Sequence, residues 1–542
     1  MEAYRQYLAF TPRVPPVSEK IGPSSEPLGC LPDQSTPIPS CSQNTSQATV
    51  LDDVANAFSS SRQREDDAQT PIYVTFDKGD PADPHNWSHG YKACVIGLLT
   101  HLTLSLTFAS SVSAPTTQAL MDEFNCGEIA ATATTGLFLV GMGLGAMPAA
   151  PLSELHGRLP IYVGSLIIAT LFEIACALAP SIGALIVLRF LAGFFSAAPL
   201  SNAGGSLNDV GRALSRTLTL PMFATTGFLG PLLGPLIGGF IVENDTLGWR
   251  WAFWIAAIWN AFAFGLVVVF MPETLGHALL KYKAVRLRKV TGDMRWKAKV
   301  EDETLVEATV RSLKRPFLML ALEPIVIMFV LYLTIVYIVL FGSFTAYPLI
   351  FQTHGLTLAQ TGLTYIPIMV GFLLLLGIVS GFYTRYRRLT LDAKSGKQRK
   401  GIFDGRVEPE ERLMPLMACG SLFPAGLFWL AWTSASHHSI WLTMMSGVPF
   451  GIGLLSIFQG SYQYMIDAYG PFASSALAGA TLVRYLVSGL VILAFPKMYS
   501  SLGNQWATTL LAFLGVAMTP VPFFFYIYGR RIRDSCRFTV RD

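Results

Sequence analysis

Apolar residues run in blocks of about twenty along most of this chain, and short polar loops separate the blocks. At 1.5 Å per residue, each block is long enough to cross the roughly 30 Å apolar core of a bilayer. Twelve spans are predicted, near residues 91–113, 131–152, 159–179, 183–205, 219–241, 250–271, 324–346, 361–383, 414–434, 439–463, 473–494 and 505–528. A polar, charged segment over residues 273–322 divides them six and six. The pattern predicts an all-α, polytopic membrane protein whose twelve transmembrane helices form two pseudo-symmetric six-helix bundles.

Residues 1–88 are rich in Ser, Pro, Gln, Thr and Asp, show no sustained apolar period and read as a disordered cytoplasmic tail. The expected organisation is this tail, an N-terminal bundle over 89–272, a central cytoplasmic connection over 273–322, a C-terminal bundle over 323–529 and a short cytoplasmic tail over 530–542. Composition agrees: of 542 residues, 52% are hydrophobic and 14% are charged, against about 25% charged in soluble proteins. The net charge of +4 matters less than its distribution. Basic residues lie after spans 2, 4, 6 and 8 and at the end of the chain, at Arg158, Arg212, Arg216, Lys281, Arg385 and Arg530. The loop after span 1 carries only Asp122, Glu123 and Glu128. By the excess of positive charge on the inner side, both termini face the cytoplasm. Charge confined to juxtamembrane loops argues against a nucleic-acid partner.

The seven cysteines are odd in number and contain no CxxC pair, so neither a disulfide framework nor a metal site is expected. A phosphate-binding Walker loop, a nucleophile elbow and an HExxH pair are all missing. The chain therefore reads as no enzyme, with no cofactor and no ATP drive.

Several stretches break the plain apolar pattern. Gly227–Phe240 reads GFLGPLLGPLIGGF, with two prolines and five glycines inside one span. Small residues let membrane helices approach closely, and proline bends them. Arg189 lies inside span 4, where a charge costs roughly 2.5–3.5 kcal/mol even on a lenient scale. It shares a helical face with Gly193 and Ser196. Two readings stay open, a proton- or substrate-linked arginine and a structural one bonded to backbone carbonyls. Arg484 in span 11 and Glu173 in span 3 are also ionisable at membrane depth, Glu173 nearer the outer edge. Glu154 and Arg158 flank the turn after span 2, PLSELHGRLP, and are placed to pair as a latch between bundles; the alternative is a solvated loop. Polar stripes recur at helical spacing: Thr100, Thr103, Thr107 and Ser110 in span 1; Tyr337, Phe341 and Thr345 in span 7; Ser456, Gln459 and Gln463 in span 10. Such a mixed lining suits a pocket for small amphipathic molecules. Interhelical hydrogen bonding would use the same residues. Asn244 opens a weak glycosylation signal, Asn-Asp-Thr, close to the membrane.

Taken in order, PLSELHGRLP, RFLAGFFSAAPLSNAGG, GFLGPLLGPLIGGF, GWRWAFWI, MPETLGHALLKYKAVRLRKVTG and YQYMIDAYGPFASSALAG resemble the major facilitator superfamily, in particular its fungal twelve-span drug:proton antiporters. The resemblance covers residues from about 80 to about 533. It implies the fold, proton coupling and export from the cytoplasm. It carries a coupling arginine onto Arg189, a latch onto Glu154 and Arg158, and the antiporter motif onto Gly230, Pro231, Gly234, Pro235, Gly238 and Gly239. The chain departs from the family where Leu159 replaces a second basic residue, and where Thr345 stands in place of the acidic residue of polyamine-linked relatives. The expected partners are protons, the lipid bilayer and a small-molecule substrate, a secondary metabolite or a drug. A monomer at the plasma membrane is expected. Polyamine export and a non-transporting sensor are the competing readings.

Overall fold

In a computed structural model of the chain, residues 71–77, 79–211, 213–298, 305–395, 401–403, 406–435 and 437–539 are described. Most of the expected N-terminal tail, residues 1–70, lies outside them. Almost everything described is helix. The first half contains spans 1 to 6: His89–Ser111, Glu128–His156, Arg158–Ala177, Ile182–Val210, Ala213–Glu243 and Arg250–Phe270. The second half contains Pro324–Gln352, Ile366–Lys394, a ninth span broken into Met414–Cys419 and Leu422–Thr433, Gly447–Tyr469, and Ala473–Val491. The twelfth runs through the end of Phe495–Met518 and Pro520–Ser535.

Length and hydropathy alone merge the last two spans into one stretch of 63 residues, Ala473–Ser535, so that eleven candidates result. A helix of that length would reach about 95 Å, three times the apolar core. The backbone turns instead at Gly503, where φ is 76° and ψ 163°. Left-handed φ is costly for other residues and free for glycine, and the turn restores twelve crossings. Gly157, with φ 96°, does the same between spans 2 and 3. Local caps set other boundaries: Ser88 accepts the N–H of Tyr91 at the start of span 1, and Ser181 that of Ala184 at the start of span 4.

Residues 71–77 and 79–88 depart from the expected tail, because they fold against the central connection. Ile72–Tyr73 pairs in parallel with Trp296–Lys297 of the central connection. Lys283 Nζ bonds Asp80 Oδ2 at 3.1 Å and the carbonyl of Thr75 at 3.3 Å. Val74 packs with Ala284, Leu287 and Ala298. The central connection also holds helices Gly276–Thr291 and Leu305–Leu322. The face carrying the segments 79–88 and 530–539 and this connection is the terminal face; the opposite one is the far face. On the far face a further helix, Thr117–Phe124, is pinned to span 6 through Glu123, which pairs with Arg250 at 2.8 Å.

Within each half, small residues set the helix crossings. A Cβ at Gly141 or Gly145 of span 2 would collide with the backbone of Phe190 or Phe194 in span 4. In spans 8 and 10, Gly371 and Gly451 meet the facing backbone in the same way. Without a hydrophobic drive between helices in lipid, this close backbone packing is the main source of association.

Candidate functional site

Two fully buried arginines mark the interior, and their surroundings differ. Arg189 of span 4 uses all five guanidinium N–H groups. Nε donates to the carbonyl of Thr134 at 3.1 Å. Nη1 donates to the carbonyl of Ala109 at 3.0 Å and to Glu173 Oε1 at 3.3 Å. Nη2 donates to the carbonyl of Ser110 at 3.3 Å and to Ser113 Oγ at 3.1 Å. Ala109 and Ser110 lie in the last turn of span 1, where helix carbonyls lack partners and the dipole is negative. Arg189 thus caps span 1, crosses to span 2 and pairs with span 3, with the Phe138 ring 4.1 Å from its Cζ. Glu173 lies four residues from the far end of its span yet is fully buried, so it is no interfacial residue. Its Oε2 has no hydrogen-bond partner.

Arg484 of span 11 sits at mid-depth and has no carboxylate partner among the described residues. Its Cζ lies 4.2 Å from the Tyr337 ring, 4.9 Å from Tyr485, 5.3 Å from Phe458 and 5.6 Å from Tyr462. Nη1 donates to Tyr462 Oη at 2.8 Å, while Nε is buried and unpartnered. Phe228 of span 5 reaches across from the first half, 4.7 Å from Phe458 and 5.5 Å from Tyr337 between ring centres. The two bundles therefore meet at mid-depth through an aromatic cluster around one cation.

The glycines of span 5 build a stripe. A Cβ at Gly230 would collide with Thr107, one at Gly234 with Ser111, and one at Gly238 with Pro115. All three face the end of span 1. Gly239 instead faces Leu358 and Ala359 of the second half, and Gly362 sits against Pro235 and Leu236. Glu243 Oε2, at the end of span 5, accepts the N–H of Ala359 at 2.7 Å. Spans 2 and 11 cross nearby, where Gly136 and Gly489 each lie too close to the other's carbonyl to admit a side chain. The two halves are thus closed against each other on the far face.

On the terminal face the expected Glu154–Arg158 latch does not form. Glu154 is exposed. Arg158 turns inward, pairing Nε with Asp209 Oδ2 at 3.3 Å and donating Nη1 to Ser153 Oγ at 2.7 Å. Glu273, just after span 6, accepts the N–H groups of Arg158 and Leu159. A carboxylate at the start of span 3 is favoured by the helix dipole, and Glu273 takes that place. The second half repeats the arrangement. Arg412, before span 9, pairs with Asp467 near the end of span 10 at 2.7 Å. Arg533 of span 12 holds Glu410 through two bonds of 2.9 and 3.1 Å. The same three helix ends are tied in both halves, the last tie by a carboxylate on backbone N–H groups in the first half and by an ion pair in the second. The sequence signal was there, as charges at the ends of spans 3, 4 and 6 and of 9, 10 and 12, but pairing them needs the fold.

The polar stripes come out mixed. Thr107 Oγ1 bonds the carbonyl of Thr103, and Ser110 Oγ that of Thr107, inside their own helix. Thr103 Oγ1 and Ser196 Oγ are buried without partners. Tyr337 and Phe341 belong to the mid-depth aromatic cluster, and Thr345 is half-buried beyond it. Gln459 Nε2 donates to the carbonyl of Pro221 in span 5 at 3.2 Å, leaving Oε1 free. Gln463 accepts from Arg412 at 3.3 Å, so it belongs to the terminal-face network. Asn244 is exposed on the far face and accepts from Thr246.

Comparison with known proteins agrees with this architecture. A family model described as Major Facilitator Superfamily matches residues 99–491. The chain is 39% identical over 472 residues to the MFS-type transporter kojT of Aspergillus flavus, covering 86% of this chain and 82% of the relative. It is 40% identical over 474 residues to the uncharacterized transporter mfs2 of Schizosaccharomyces pombe, covering 86% and 84%. Among solved structures, the proton:xylose symporter XylE superposes with a TM-score of 0.57 at 17% identity, covering 82% of this chain and 96% of XylE. Two six-helix halves, a glycine-lined crossing of spans 1 and 5 and a matching set of relatives lead to one conclusion: the chain belongs to the major facilitator superfamily, as a fungal-type multi-pass membrane transporter of small molecules.

Proposed function

We propose that this protein is a proton-coupled antiporter that exports small amphipathic organic compounds, a secondary metabolite or a xenobiotic, across the plasma membrane. Both termini are cytoplasmic in this reading, and the far face is the outer one. The observation that carries it is the Glu173–Arg189 couple: a carboxylate buried at membrane depth with one oxygen paired and the other unpartnered. A buried carboxylate must be paired or protonated. In this reading Glu173, which lies toward the far face, takes up a proton arriving from outside. Protonation weakens its hold on Arg189, and Arg189 links spans 1, 2 and 3 to span 4. Span 5 rides on span 1 through Gly230, Gly234 and Gly238, so a shift there reaches the far-face closure at Gly239 and Glu243. Arg158 belongs to the terminal-face ties that must loosen when that side opens.

A polyamine substrate is disfavoured by the uncompensated cation at Arg484. The test uses purified protein in proteoliposomes with an acid lumen and a pH dye inside. Adding aromatic compounds outside is expected to raise the luminal pH, and Glu173→Gln is expected to abolish the response while substrate binding persists. A Glu173→Gln protein that still alkalinises the lumen at the wild-type rate refutes the coupling site. A response to spermidine alone restores the polyamine reading, and silence with correctly inserted protein favours a sensor.

A further inference from the structure

Arg189 and Arg484 are both buried at membrane depth, yet only Arg189 is neutralised. Its charge meets Glu173, and all five of its donors meet acceptors. Arg484 faces four aromatic rings and the neutral phenols of Tyr462 and Tyr485, with no carboxylate among the described residues. Rings attract a cation through their quadrupole, but they cancel no charge and accept no N–H in the way a carboxylate does. Its buried Nε remains without an acceptor. Leaving a charged donor unsatisfied in a low-dielectric site is costly, so such a group persists where something else supplies the missing partner.

We propose that Arg484 is the anion-binding centre of the transport site, and that its occupants are planar aromatic mono-anions. This rests on the reading of the protein as a transporter. The anionic group bonds Nε and displaces the Tyr462 hydroxyl from Nη1. The planar ring takes a place among Tyr337, Phe458 and Phe228, the last of these contributed by the opposite bundle. A ligand there touches both halves, as a substrate of alternating access must. The approach is from the terminal face: Phe458 and Tyr462 are only half-buried, whereas Tyr337, Arg484 and Tyr485 are buried. Tyr462 Oη also contacts Thr481 Oγ1 at 3.3 Å, which gives the displaced hydroxyl a partner. Aromatic walls around a guanidinium select for charge and planarity together, and a polycation is repelled.

The test is equilibrium binding of the full-length protein in phosphatidylcholine nanodiscs, followed by calorimetry with no pH gradient. The probes are 2-naphthoate, its neutral isostere 2-naphthamide, and decanoate as an anion without a ring. Naphthoate is expected to bind about tenfold or more tighter than naphthamide, the preference one charge-assisted hydrogen bond confers, and tighter than decanoate. Arg484→Gln is expected to erase the preference for naphthoate over naphthamide, and Arg484→Lys to retain part of it, with melting curves recorded for both. Equal affinity for naphthoate and naphthamide in the wild type, absent naphthoate binding, or decanoate matching naphthoate overturns the proposal. So does a folded Arg484→Gln protein that still prefers the anion. Because no proton gradient enters the measurement, a failure of proton coupling at Glu173 leaves this result unaffected, and the two readings fall separately.

Discussion

Replacing Glu243 by alanine tests the far-face closure directly. Its Oε2 accepts the N–H of Ala359 at 2.7 Å, and that amide belongs to the first turn of the short helix Leu358–Leu363 in the opposite half. A hydrogen bond to a charged group contributes about 1.5–3 kcal/mol net. Glu243 is exposed, so the lower end applies, about 1.5 kcal/mol. The interaction exists only when the halves are closed on the far face, so its whole value enters the closed–open equilibrium. Removing it is expected to shift that equilibrium about tenfold toward the far-face-open state. Glu243→Gln keeps an acceptor without the charge and is expected to fall between. The Gly239 and Gly362 contacts remain, so closure is weakened and not abolished. Spin labels at Asp245→Cys and Gln352→Cys, with Cys30, Cys41, Cys94 and Cys126 replaced by serine, report the distance across this face by double electron–electron resonance. Identical distance distributions for Glu243→Ala and the parent would refute the assignment of this contact as a tie between the halves.

Arg189→Ala strips partners from Glu173 and from the carbonyls of Ala109, Ser110 and Thr134, and breaking a buried pair costs about 3–5 kcal/mol; a clear drop in melting temperature in detergent is expected, and an unchanged melt would contradict the network. Gly234→Ala forces a methyl into Ser111 and is expected to destabilise by about 1–3 kcal/mol, whereas Gly97→Ala, with open space around it, is expected to leave the melt unaltered. Asp467→Asn removes the charge opposite Arg412 and is expected to lower stability measurably, with an Arg412→Asp, Asp467→Arg exchange recovering part of the loss; failure of the exchange to recover anything would argue against a paired role. Burial and the Glu323 carboxylate push the Cys536 thiol up to about 12, so its reactive thiolate is scarce at pH 8 and forms only as pH rises toward that value. Mass spectrometry after iodoacetamide treatment at pH 8 is expected to find Cys536 unmodified in the folded protein, and rapid stoichiometric labelling would refute this.

The sequence by itself determined the class and the layout. Spacing of apolar blocks located the spans, because a bilayer sets a minimum length and excludes unpaired backbone, although their ends moved: span 8, expected to end at 383, runs to Lys394. It divided them six and six, and it singled out Arg189, Arg484 and the span 5 glycines, because charge and packed glycine are both exceptional at that depth. Partnership was beyond it. Glu154 and Arg158 are neighbours in the chain, yet Arg158 found Asp209 and Glu273, 51 and 115 residues away. Val74 looks like part of a polar tail until the helix Gly276–Thr291 supplies the apolar surface it covers. Glu173 seemed interfacial by position, and only packing of span 3 against span 4 removed it from solvent and set it beside Arg189. The difference between the two arginines is also tertiary. Periodicity fixes which face a side chain points from, whereas the groups arriving from other helices decide whether its charge is cancelled, and that cancellation separates Arg189 from Arg484.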